Sequence, residues 1–118
     1  MVKGLVLYVD GTSKVIDLKD VFEYQKVVGG LVELMPTRYS YITDGKKSNI
    51  VCYVNEEGYL EGLPENKKWE PASRKLGFGK IMGNAILFTE GKGGDEADID
   101  EYIIEFVHKY NRYRDPRS

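Results

Sequence analysis

The sequence predicts an α+β domain: a mainly antiparallel sheet of about five strands with two principal helices. Short apolar and β-branched runs recur along the chain, separated by Gly, Asp and Asn, the pattern of strands joined by tight turns. Ile99, Tyr102, Ile103, Phe106 and Tyr110 form one apolar stripe at helical spacing. The chain has 118 residues, 42% hydrophobic and 31% charged, which suits one ordinary globular domain with a substantial core.

Gly4 to Val9 is a β-prone run, Asp10-Gly11 supplies a tight turn, and Thr12 to Asp17 returns as the second arm of a hairpin. Asp17 is placed to cap a following helix, in which Leu18, Val21, Phe22 and Val28 recur near helical spacing and Gln25 interrupts. Gly29-Gly30 ends that helix, because glycine accepts the left-handed conformation beyond a helix terminus. Leu31 to Met35 reads as a strand stopped by Pro36, and Arg38 to Thr43 as a short one followed by a turn at Asp44-Gly45-Lys46-Lys47.

Asn49 to Asn55 is continuously apolar and β-branched, the signature of a central strand covered on both faces. Lys67 to Phe78 fits either a short helix, with Pro71 in its first turn, or an irregular stretch. Gly83 to Glu90 reads as a buried strand. Gly91 to Gly94 is a polar connection to the final helix, Asp98 to Tyr110, whose first turn gathers Asp98, Asp100 and Glu101 at the positive end of the dipole. Residues 1–110 thus form the domain and 111–118 a polar basic tail expected to fray.

The net charge of −2 provides no overall field for a nucleic-acid backbone. The single cysteine, Cys52, excludes an internal disulfide and reads as a buried inert thiol. No basic-then-apolar leader and no bilayer-length apolar run is visible, so the expectation is a soluble, intracellular protein. A Cys-His pair would require Cys52 on a central strand to meet His108, which reads as a surface residue near a helix C-terminus. A zinc site lacks ligands, and Asp95, Glu96, Asp98, Asp100 and Glu101 lack EF-hand spacing. The expectation is therefore no metal, no cofactor and no catalytic set.

Three surfaces remain as candidates. Gly77-Phe78-Gly79-Lys80, with Arg74 and Lys75 beside it, offers backbone amides and cations for a small anionic, nucleotide-like ligand, although Walker A spacing is missing. Gly91-Lys92-Gly93-Gly94 is a similar but plainer loop. Arg112, Arg114 and Arg117, interleaved with Tyr110 and Tyr113, would suit a tail that tracks a nucleic-acid backbone. Asn55-Glu56-Glu57-Gly58 and Gly62-Leu63-Pro64-Glu65-Asn66 bracket a polar ledge carrying Glu56, Glu57, Glu61 and Glu65, carboxylates that turn geometry does not demand.

The order Val27-Val28-Gly29-Gly30, Asn55-Glu56-Glu57-Gly58, Gly62-Leu63-Pro64-Glu65-Asn66 and Gly83-Asn84 resembles a domain-of-unknown-function family widespread in phages and bacteria. The resemblance covers Leu5 to Phe88 and implies a small viral or mobile-element accessory protein, with no catalytic residues to carry over. Tyr39 to Ser48 and Lys67 to Lys80 look like loops enlarged relative to that pattern, and the last helix and basic tail match it less clearly. The resulting expectation is a noncatalytic protein that binds a host or viral protein, with a homodimer possible and no membrane partner. Its expected contacts are Tyr39, Tyr41, Glu56, Glu57, Glu61 and Trp69, with the tyrosines as interface anchors and Trp69 as readily a core residue as an anchor. A small anionic ligand at Arg74, Lys75, Gly77, Gly79 and Lys80, and nucleic acid at the tail, are the alternatives.

Overall fold

The two most apolar runs form the middle of the sheet, since only strands covered on both faces tolerate unbroken hydrophobicity. The structure, a computed structural model, describes residues 1–35, 40–43 and 45–112. Its elements are β1 (Val2–Leu7), β2 (Ser13–Leu18), α1 (Val21–Val28), β3 (Val32–Met35), β4 (Ser40–Thr43), β5 (Lys46–Asn55), α2 (Glu70–Lys75), β6 (Ala85–Glu90), β7 (Glu96–Ala97) and α3 (Glu101–Arg112). The strands form one antiparallel sheet in the order β2-β1-β6-β5-β3. β4 pairs with the first residues of β5, β3 with its last, and the two-residue β7 adds to β6.

The described sheet therefore has seven strands rather than five, and three helices rather than two. The strand that corresponds to none of the runs read from the sequence is β7, too short to leave a periodic signal. The extra helix is α2, which settles the stretch left open between Lys67 and Phe78, with Pro71 in its first turn where a missing N–H costs nothing.

Pleating sends alternate residues of the central strands to opposite faces. Leu5, Leu7, Cys52, Ala85 and Leu87 pack with Trp69, Leu76, Ile103 and Val107 beneath α2 and α3. Val6, Val51, Ile86 and Phe88 pack with Tyr24 and Val28 of α1 on the other face. Each fully buried aliphatic side chain contributes about 1.5–3 kcal/mol relative to exposure. The rings of Tyr24 and Phe88 lie 5.3 Å apart, and those of Tyr24 and Tyr53 5.5 Å.

The first helix starts later than the spacing suggests. Asp17 lies in β2 opposite Lys3, and Asp20 is the cap, accepting from the N–H groups of Phe22 and Glu23. With only eight residues, α1 directs Tyr24 and Val28 inward at i, i+4, while Phe22 is 68% exposed. Gly29, at φ 84°, ends it as expected. In α3 the fully buried pair is Ile103 and Val107, whereas Tyr102 is largely exposed and Ile99 precedes the helix. The helix runs through Arg112, beyond the expected start of the tail. No helix among the described residues is long and apolar enough to cross a membrane.

Candidate functional site

The turn after β5 is held by a buried amide. Asn55 Nδ2 donates to the Val28 carbonyl at 3.2 Å, and its Oδ1 accepts from the Glu57 N–H at 2.8 Å. This ties the turn to the end of α1. The Glu61 N–H then donates to the Glu57 carbonyl at 2.8 Å, and that of Leu63 to the Gly58 carbonyl at 2.9 Å. Gly58 is required by close approach: a Cβ there would lie 3.0 Å from the Met82 carbonyl oxygen. The fastened turn presents Glu56, Glu57 and Glu61 to solvent as the sequence suggests. Between them stand Tyr59 and Leu60, 74% and 86% exposed, which sequence reasoning passed over. Their signal was available: two large apolar residues inside a run of carboxylates and glycines.

The expected aromatic anchors lie elsewhere. Trp69 is 2% exposed, packed in the core beneath α3, with its indole N–H donating to the Thr12 carbonyl at 3.2 Å. Tyr41 is also buried. Its hydroxyl donates to Asp100 Oδ2 at 2.5 Å and meets Thr89 Oγ1 at 3.1 Å. Burial, then the hydrogen bond to Asp100, pushes the Tyr41 hydroxyl up to about 12. Neither ring is available to a partner of the folded chain, because both satisfy the core's own demand for large apolar surface and paired polar tips. Tyr39 lies outside the described residues.

A cleft of about 420 Å³ opens between α2 and the segment that follows it. Arg74, Gly79 and Lys80 line it, as the glycine-lysine loop suggested, together with Asn66, Ser73, Phe78 and Ile81. Lys75 and Gly77 do not. Lys75 instead lies over the Tyr110 ring, 5.3 Å from its centroid. Arg74 pairs with Glu70 at 2.5 Å and Lys80 with Glu65 at 3.4 Å, so both cations of the cleft already face carboxylates. Those two carboxylates also line the cleft.

His108 is half-buried rather than on the open surface, with Nε2 2.8 Å from Ser13 Oγ in a shallow hollow beside Trp69. No spacing rule foretold this contact, since the two residues are 95 positions apart. A hydroxyl against an imidazole is the start of a nucleophilic arrangement. The adjoining loop amides are committed, however: the Gly11 N–H donates to the Tyr8 carbonyl and that of Thr12 to Asp10 Oδ1. Neither is offered to a developing oxyanion.

Cys52 is fully buried, and burial pushes its thiol far up, which keeps it protonated and unreactive. The acidic run is dispersed among structural partners. Glu96 accepts from the Tyr53 hydroxyl, Asp98 from the Lys3 N–H and Asp100 from Tyr41. Arg112 is the last residue of α3, while Arg114 and Arg117 lie outside the described residues.

These features define a small antiparallel α+β domain with an acidic, apolar-tipped turn held by Asn55 and a partly open cleft beside α2. The model of the family described as Domain of unknown function (DUF3846) matches residues 2–112, and the chain belongs to that family. The match extends well past Phe88 and takes in the last helix, where the sequence motifs matched less clearly. No curated protein and no solved structure matches the chain.

Proposed function

We propose that this protein is a noncatalytic accessory protein, of phage or mobile-element type, that binds a protein partner through the Asn55–Gly62 turn. The observation that carries the reading is the exposure of Tyr59 and Leu60 on backbone fixed by Asn55. Large apolar side chains on a preordered turn lose little entropy on docking, which is what contact anchors require. Glu56, Glu57 and Glu61 around them select a partner with an apolar pocket rimmed by Lys or Arg. The same carboxylates oppose self-association through this turn, because a two-fold contact would set acidic side chains against one another.

The test is photo-crosslinking from position 60 in the native cellular setting, followed by affinity measurement on the recovered partner. Tyr59→Ser with Leu60→Ser should weaken binding at least about 30-fold, the loss of one hot spot, with thermal stability unchanged. Glu56→Gln, Glu57→Gln and Glu61→Gln together should slow association and flatten its salt dependence. A partner that binds both variants like the parent chain would defeat the proposal, as would a crosslink only to a second copy of the chain.

A further inference from the structure

The sheet ends at β3, and the hydrogen-bond phase of that strand fixes which way its backbone faces. In an antiparallel pair, residues bonded to the neighbouring strand alternate with residues whose N–H and C=O point away from it. The Glu56 N–H donates to the Leu31 carbonyl at 2.7 Å, and Val32, Glu33, Leu34 and Met35 stand opposite Asn55, Val54, Tyr53 and Cys52. That phase directs the backbone groups of Leu31, Glu33 and Met35 toward β5 and turns those of Val32 and Leu34 outward. Among the described residues, no strand and no other hydrogen bond reaches them on that side.

The exposed side chains of this edge are mostly apolar. Leu31 is 58% exposed and Leu34 56%. Strand edges left in water are ordinarily guarded by charge, and the opposite edge, β2, carries exposed Lys14 and Asp17. β3 carries one charge, the exposed Glu33, on the face opposite to Leu34. A second copy of the chain matches this edge poorly. A two-fold pairing that uses both outward residues sets Val32 against Leu34 of the copy, and Glu33 directly against Glu33. Like charges in that position are destabilising, whereas a strand of different sequence with a basic residue there is attracted.

We propose that the β3 edge docks an extended segment of a partner protein as an added antiparallel strand, with Lys or Arg opposite Glu33 and apolar residues on either side of it. Backbone bonds to Val32 and Leu34 supply the attachment, and the alternating side chains supply the specificity. The two flanking apolar residues lie on the same face of the sheet as Leu34 and Tyr53, which are opposite each other in the register. This edge is distinct from the apex that carries Tyr59 and Leu60, and each site stands or falls without the other.

The experiment is amide NMR of the isotope-labelled full chain, titrated with a capped hexapeptide in which lysine is flanked by isoleucine. A counterpart with glutamate in place of lysine is the control. The lysine peptide should move the Val32 and Leu34 amide protons downfield, as new hydrogen bonds require. The Glu33 and Met35 amides, already turned to β5, should change much less. The glutamate peptide should bind about fivefold more weakly, and Glu33→Lys should reverse that preference. Leu34→Pro removes one outward N–H while sparing the bonds to β5, so it should abolish docking with the fold retained. The Tyr59→Ser, Leu60→Ser double variant should bind the peptides like the parent chain. Equal binding of the two peptides, shifts confined to other residues, or docking that survives Leu34→Pro overturns the proposal. Shifts at Val32 and Leu34 that grow with protein concentration alone would place a second copy on the edge and overturn it as well.

Discussion

Replacing Trp69 by alanine separates a core role from a contact role. The side chain is 2% exposed, sits among Ala72, Leu76, Ile103 and Val107, and approaches the His108 ring at 5.8 Å between centroids. Truncating a buried tryptophan costs about 3–5 kcal/mol through lost transfer energy and the cavity left behind. Losing the indole N–H also leaves the Thr12 carbonyl, its acceptor at 3.2 Å, without that donor. A domain of this length has a total stability of about 5–15 kcal/mol, so the substitution removes a large share. The melting temperature should fall by about 10–25 °C. Trp69→Phe keeps most of the packing and should fall by roughly half as much, which separates volume from the hydrogen bond. Urea unfolding followed by circular dichroism gives the free energies directly, with the slope unchanged if the native state keeps its compactness. A Trp69→Ala protein melting within about 3 °C of the parent would refute the reasoning and return this residue to the surface.

Two further outcomes follow from the packing. Because the Tyr41 hydroxyl is raised to about 12, its protonated form stabilises the fold fully below the unfolded value near 10. That contribution is lost as pH rises through the folded value, so unfolding titrations between pH 9 and 12 should show a decline that Tyr41→Phe reduces, with Tyr24 and Tyr53, also raised by burial, supplying the rest. The full difference corresponds to about 2.7 kcal/mol, and screening by nearby solvent should bring the observed loss nearer 1. Gly58→Ala should destabilise by about 1–3 kcal/mol, since its Cβ would stand 3.0 Å from the Met82 oxygen and 3.1 Å from the Met82 Cβ. Denaturant midpoints at neutral pH measure that cost, and an unchanged midpoint would mean that the turn and the Met82 backbone do not meet.

The parts of the fold that were legible in sequence are those where burial acts on neighbours along the chain. β5 and β6 appear as unbroken apolar runs because both their faces are covered, and α3 as a stripe because one side meets the sheet. Asp17 failed as a helix cap for the same local reason that made it plausible. Two carboxylates stand within three residues of one another there, and the hairpin register, which pairs Asp17 with Lys3, leaves Asp20 to do the capping. Tyr41 was misread, and Trp69 left open between core and contact, because composition around a residue says little about what folds over it. What covers Trp69 is α3, more than thirty residues further on, and what holds Tyr41 is Asp100.

The same distinction bears on where function resides. Tyr59 and Leu60 are exposed although nothing in their chemistry favours it, and the Asn55 amide spends both its ends keeping them there. Asn66 does the converse: its side-chain amide is buried and serves the fold, joining β1 to the segment that enters β6. A turn whose sole task was to reverse the chain would not need apolar residues at its apex. Hydrogen exchange at the Glu61 and Leu63 amides, both bonded within the turn, reads how firmly it is held. Asn55→Ala should speed exchange at both amides, and unchanged exchange would mean that the Asn55 amide does not keep Tyr59 and Leu60 in place.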